Sequence, residues 1–76
     1  MMEGQRYRLK ITTEFGLVLY WVKRGRVHTL DEKLAALWVR NFKPAIFQVT
    51  RDGELTPPRA GLETFPIARV EMELDT

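Results

Sequence analysis

Residues 29–42 read TLDEKLAALWVRNF, and this stretch decides the fold. It has helical spacing, whereas the segments on either side alternate in twos or carry turn residues. Thr29 is placed to be the N-cap, and Glu32 three residues on completes a T-x-x-E capping box. Asp31 and Glu32 in the first turn, and Arg40 and Lys43 near the last, match the helix dipole. Pro44 disfavours helical geometry at Lys43, so the spacing predicts an end near Asn41 or Phe42. Leu30, Leu34, Leu37, Trp38 and Asn41 share one stripe, with Lys33, Ala36 and Arg40 opposite. So short a helix is marginal alone in water. Its Leu/Trp stripe is therefore expected to lie on a sheet.

Before the helix, Gln5–Thr13 alternates strictly. Tyr7, Leu9 and Ile11 point one way; Arg6, Arg8, Lys10 and Thr12 point the other, as in a half-buried strand. Glu14-Phe15-Gly16 is a short turn. Leu17–Val22 reads as a second strand, apolar on both faces, with Leu17, Leu19 and Trp21 opposed to Val18, Tyr20 and Val22. Lys23-Arg24-Gly25-Arg26 is a basic turn. After the helix, Ala45–Arg51 reads as a third strand, Asp52-Gly53 as a turn, and Glu54-Leu55-Thr56 as a brief return. Residues 56–66 carry Pro57, Pro58, Gly61 and Pro66 and read as a loop that wraps the sheet edge. Ile67–Leu74 is the last strand. Ala68, Val70, Met72 and Leu74 face one way; Arg69, Glu71 and Glu73 face the other.

The expected order is β-β-α-β-(short β)-β. It specifies one small α+β domain over residues 1–76, with flexible ends at 1–4 and 75–76. An antiparallel or mixed sheet with one helix packed on one face is the economical solution. The order resembles the β-grasp arrangement of ubiquitin-like domains. That resemblance rests on element order alone, and it implies two terminal strands side by side in mid-sheet. The chain ends Glu73-Leu74-Asp75-Thr76 without a Gly-Gly tail, so conjugation as a modifier is not expected.

Charge supports neighbouring terminal strands. Residues 1–53 hold ten Lys/Arg against five Asp/Glu, and residues 54–76 hold two against five, giving the net +2 of the chain. If Arg6, Arg8 and Lys10 lie beside Glu71, Glu73 and Asp75, opposite charges meet across the sheet. Each such pair contributes a few tenths of a kcal/mol up to about 1.

Composition narrows the function. The chain of 76 residues has a globular hydrophobic content of 45% and no Cys. A domain this small buries roughly 60% of its unfolded surface, which leaves a thin stability margin. Disulfides and thiolate metal sites are ruled out. No Ser is present and His28 is the single histidine, so the usual hydrolase nucleophiles and histidine dyads are missing. Glu71, Glu73 and Asp75 read as a solvated or ion-paired face rather than a cation site, and His28 as a residue flanking the cap. Phosphate-binding glycine motifs are absent. A non-enzymatic protein with no catalytic residue, cofactor or metal is expected. There is no apolar run of membrane length and no apolar core in the leading M-M-E-G-Q-R, so a cytoplasmic protein without membrane contact is expected. One Asn, two Gln and abundant Arg, Glu and Lys fit a thermophilic host or small-sample chance in a GC-rich genome.

Two surfaces remain as binding candidates. The first reading is a protein–protein interaction or regulatory module, prokaryotic or phage-encoded in character, using Val18, Tyr20, Val22, Lys23, Arg24 and Arg26. The partner would be another protein or a second copy, because an exposed apolar row suits an interface. The alternative is a nucleic-acid-binding accessory protein using Arg6, Arg8, Lys10, Lys23, Arg24 and Arg26, with Tyr20 or Trp21 to stack bases. A third reading is a structural subunit that self-assembles through the same apolar strand.

Overall fold

A computed structural model describes residues 4–75. The expectation of flexible ends at 1–4 and 75–76 thus falls mostly on residues outside the described range. The architecture is α+β: one helix and antiparallel strands in three small sheets.

The main sheet is built on β1 (Tyr7–Thr13), which pairs on both of its edges. On one edge lie β2 (Val18–Tyr20) and, further along, β5 (Thr29–Leu30). On the other edge β9 (Ile67–Leu74) runs antiparallel, with Arg8 opposite Glu73, Lys10 opposite Glu71 and Thr12 opposite Arg69. The terminal strands are neighbours, in keeping with the charge pattern. β1 is the mid-sheet strand, whereas among the described residues β9 pairs with β1 alone and is an edge. The specific β-grasp order is therefore not reproduced. A bulge falls between Thr12 and Thr13, where the register jumps from Arg69 to Ile67. It turns Ala68 outward and lets Ile67 take the inward position, contrary to the simple alternation expected of this strand.

Three other corrections trace to specific backbone contacts. The helix α1 spans Glu32–Asn41 and is capped by Asp31, whose carboxylate accepts the Leu34 N–H at 2.8 Å. Thr29 is not the cap. Its backbone pairs with Arg8 in β5, and Leu30 is buried opposite Tyr7. Asp serves as well as Thr at this position, so sheet pairing shifts the helix start by two residues at little cost. The expected strand 17–22 breaks at Trp21. Its N–H donates to the Leu9 carbonyl at 3.1 Å, and its carbonyl accepts the His28 N–H at 2.8 Å. Beyond it, β3 (Val22–Lys23) and β4 (Arg26–Val27) form a separate hairpin. The expected strand 45–51 shortens to β6 (Gln48–Thr50). Pro44 and Ala45 form the centre of a turn closed by Ile46 N–H to the Lys43 carbonyl at 3.0 Å, a turn in which Pro suits the second position. β6 pairs with β7 (Leu55–Thr56) on one side and β8 (Thr64–Phe65) on the other. The loop expected over 56–66 thus contributes strand residues at both ends.

The core gathers Leu9, Ile11, Trp21, Leu30, Ala35, Val49, Ile67 and Val70. The helix lies on it through Ala35, fully buried, with Trp38, Val39 and Phe42 packed alongside. Leu34 and Leu37, expected in the core stripe, are 42% and 45% exposed. Ala35 has the smaller side chain and lets the helix backbone approach the sheet. Trp38 then reaches Trp21, with ring centroids 4.7 Å apart.

The sheet of β6, β7 and β8 is fastened to the β3–β4 hairpin at Gly53. Its φ is +103°, and its carbonyl accepts the Val22 N–H at 2.9 Å. A Cβ there would stand 2.2 Å from the Tyr20 carbonyl oxygen. Gly16 also has positive φ, but open space surrounds it. Gly53→Ala should therefore destabilise by about 3 kcal/mol or more, combining strain with overpacking. Gly16→Ala should cost only about 1 kcal/mol. Urea midpoints at unchanged slope provide the comparison.

Candidate functional site

The outer face of the main sheet carries Arg8, Lys10 and Tyr20, and here cross-strand geometry consumes charge. Arg8 lies opposite Glu73 and donates to Glu73 Oε1 through Nε at 2.8 Å and Nη2 at 2.6 Å. Its Nη1 reaches Asp75 at 3.4 Å. The Tyr20 hydroxyl donates to the same Glu73 oxygen at 3.1 Å, and the Arg8 guanidinium sits 4.8 Å from the Tyr20 ring centroid. The Arg8 contact, aided by Tyr20, holds the Glu73 carboxyl below its usual range against the opposing effect of burial. Arg6 is tied down too, donating to the Thr29 hydroxyl at 3.2 Å and the Thr29 carbonyl at 2.7 Å. Lys10 stands in register between Tyr20 and Glu71.

The six cations proposed for nucleic acid therefore separate into two groups. Arg6, Arg8 and Lys10 lie along the main sheet, where Arg8 is paired with Glu73 and Asp75, Arg6 hydrogen-bonds Thr29, and Lys10 stands in register with Glu71 without an ion pair among the described residues. Lys23, Arg24 and Arg26 are exposed on the β3–β4 hairpin and make no ion pair within the described residues. Arg24 and Gly25 have φ of +55° and +78°, the signs that a type I′ two-residue turn requires. A left-handed Arg is strained where Asn or Gly would not be. The Lys23 ammonium lies 5.9 Å from the Trp21 ring centroid. Beneath the hairpin is a mixed groove of about 370 Å³, bordered by Trp21, Lys23, Arg24, Glu54, Arg59 and Leu62.

The proposed partner row is likewise divided. Val18 is 46% exposed. Tyr20 is half-buried under Arg8, and Val22 is half-buried beyond the break at Trp21, beside Gly53. These three do not form one continuous apolar surface.

A more apolar surface lies at the end of α1. Leu37, Trp38, Phe42, Lys43, Ile46 and Phe47 line an open groove of about 300 Å³. Phe42 and Phe47 stack at 6.1 Å with 29° between planes. Leu37 and Ile46 are 45% and 50% exposed at its lip. Sequence reasoning missed this groove because it placed Leu34 and Leu37 in the core and Ile46 in a strand. One signal was present. Ala35, Trp38, Val39 and Phe42 also have 3-4 spacing, so the helix carries more apolar surface than one sheet contact can cover.

His28 packs edge-on against Trp21, with ring centroids 4.7 Å apart. Burial first, and then the positive charges of Lys23 and Arg6, lower its pKa from the usual 6.5.

No protein-family model matches the chain, and no curated protein or solved structure matches it.

Two acid-side transitions follow from these shifts. The folded state disfavours charged His28, so stability is full above pH 6.5 and falls as pH drops from there to the lowered folded value. His28→Gln should remove that step. Glu73 is held ionised, so its contribution is present above 4.5 and lost as pH falls through its lower folded value. Glu73→Gln should flatten that second limb while leaving the first. Chemical denaturation across a pH series separates the two.

Proposed function

We propose that the protein is a non-enzymatic interaction module, acting in the cytoplasm, that receives an apolar segment of a partner protein in the α1 groove. The observation that carries this reading is the groove itself. Aromatic rings and exposed Leu37 and Ile46 surround an apolar floor on a very small domain. Uncovered apolar surface of this kind is expensive in water and marks interaction sites. Arg40 is exposed on the last helical turn and Lys43 lines the groove. The complementary ligand is therefore an amphipathic segment with carboxylates flanking its apolar side chains, laid into the groove as a helix would be. The sequence supports a role without chemistry, since Ser and Cys are missing and the one His is engaged with Trp21. A small regulator of prokaryotic or phage character is consistent with these features.

A second reading has its own observation. Lys23, Arg24 and Arg26 project from a tight turn with no counter-charge bound among the described residues, and Arg59 joins Lys23 and Arg24 around a groove that contains Trp21. Retaining strained Arg24 at the tip fits a role for its charge. That arrangement can grip phosphates and stack a base. It is a smaller patch than the six-cation set expected from sequence, because Arg8 is neutralised by Glu73.

The two readings separate in one experiment. Tagged wild type, Leu37→Asp/Ile46→Asp and Arg24→Glu/Arg26→Glu are used to capture partners from source-cell lysate, with and without nuclease. The groove reading expects a discrete protein retained by the hairpin variant, lost by the groove variant and unaffected by nuclease. Capture that fails with the hairpin variant and falls steeply with salt, as counterion release demands, would replace it with the nucleic-acid reading.

A further inference from the structure

We infer that the groove between the β3–β4 hairpin and the sheet of β6, β7 and β8 binds a small phosphate monoester with an apolar body. Thr50, at the end of β6, borders this groove and is only 8% exposed. Its hydroxyl oxygen accepts the Glu54 N–H at 3.1 Å, and no hydrogen bond among the described residues uses its proton. A buried donor without an acceptor is costly. An oxygen of a bound ligand would satisfy it. Charge is supplied at the rim. Lys23, Arg24 and Arg59 are exposed there. None of them makes an ion pair among the described residues, although Glu54 borders the same groove. Lys23 and Arg24 are held at its mouth by the tight turn, in which Arg24 keeps a left-handed backbone at φ +55°.

Charge selects the ligand. Three cations against one carboxylate leave a local balance of +2. A phosphate monoester carries about −1.5 to −2 at neutral pH and presents three strong acceptor oxygens. Guanidinium forks and an ammonium suit those oxygens. A carboxylate, or an internal phosphodiester of a nucleic acid, brings one negative charge and leaves the balance unmet. The walls select the rest of the molecule. Val22, Leu55 and Leu62 stand half-buried along the groove and offer contact to an apolar body. Glu54 is the acceptor for a hydroxyl or amine on that body. The volume of about 370 Å³ falls within the roughly 300–1,000 Å³ of small-molecule sites. A nucleoside monophosphate has all of these parts. The inference shares its cations with the nucleic-acid reading but does not rest on it, because its ligand is a small molecule rather than a polymer. It is also separate from the α1 groove.

The test is titration of the full chain with adenosine 5′-monophosphate, followed by amide chemical shifts. Shifts should saturate and centre on Val22–Arg24, Glu54–Thr56 and Leu62. Adenosine and inorganic phosphate each lack one part of the ligand and should bind about tenfold more weakly or worse. Arg59→Glu cancels the local positive balance and should weaken the monophosphate by about tenfold or more, the loss expected for a charge-assisted hydrogen bond. Arg59 is exposed, so its urea midpoint should match wild type. Thr50→Val should also weaken binding, whereas Thr50→Ser keeps both donor and acceptor and should bind as wild type does. Leu37→Asp/Ile46→Asp should bind normally, which keeps this outcome separate from the α1 groove reading. Absence of saturable shifts with the monophosphate overturns the inference. So does inorganic phosphate that binds as tightly, or Arg59→Glu without effect. A deoxyadenosine oligonucleotide lacking terminal phosphates forms the last arm. Binding of that polymer alone overturns the inference and leaves the nucleic-acid reading standing; binding of the monophosphate alone does the reverse.

Discussion

The structure depends on a single strand being shared. β1 gives the backbone groups of alternate residues to β9 on one edge and to β2 and β5 on the other. Its inward side chains, Leu9, Ile11 and Thr13, are the most deeply buried in the sheet. Fully burying an aliphatic side chain is worth about 1.5–3 kcal/mol. Partly exposed ion pairs such as Arg8–Glu73 therefore select register more than they supply stability. β1 and β9 lie far apart in sequence, so this pairing joins the two ends of the described fold. The helix, the Trp21 break and the second sheet are arranged around that pairing.

The helix illustrates how packing overrules pattern. Two apolar arcs compete for the sheet, one through Leu34 and Leu37 and one through Ala35, Trp38, Val39 and Phe42. The second wins because a small residue at the closest point brings the helix near enough for Trp38 to meet Trp21, which also packs against His28. The losing arc is left in water, and with Ile46 it supplies the lip of the groove. The candidate binding surface is thus a by-product of how the core was filled.

Charge is handled in the opposite manner. Arg8 of the first strand is neutralised by Glu73 and Asp75 across the outer face, leaving the β3–β4 hairpin as the more open concentration of positive charge. Net charge alone hides this division. A chain of +2 holds both the Arg8–Glu73 pair and a more open basic tip.

By itself the sequence determined the α+β class, the place of the single helix to within a few residues, and the adjacency of its two end strands. Those follow from local signals: 3-4 and 2-residue periodicity, a proline stop, and complementary charge on alternating positions. The helix start, the break at Trp21 and the shortening of residues 45–51 to β6 lay beyond it. Each depends on a backbone partner distant in sequence: Arg8 for Thr29, Leu9 and His28 for Trp21, and Thr56 and Phe65 for β6. The candidate site divides in the same way. The basic turn was legible because it is contiguous. The groove was not, since which apolar residues stay exposed is settled only when others have taken the core. That choice is made by the volume and approach distance of Ala35 and Trp38 against the sheet, quantities that exist only in the folded chain.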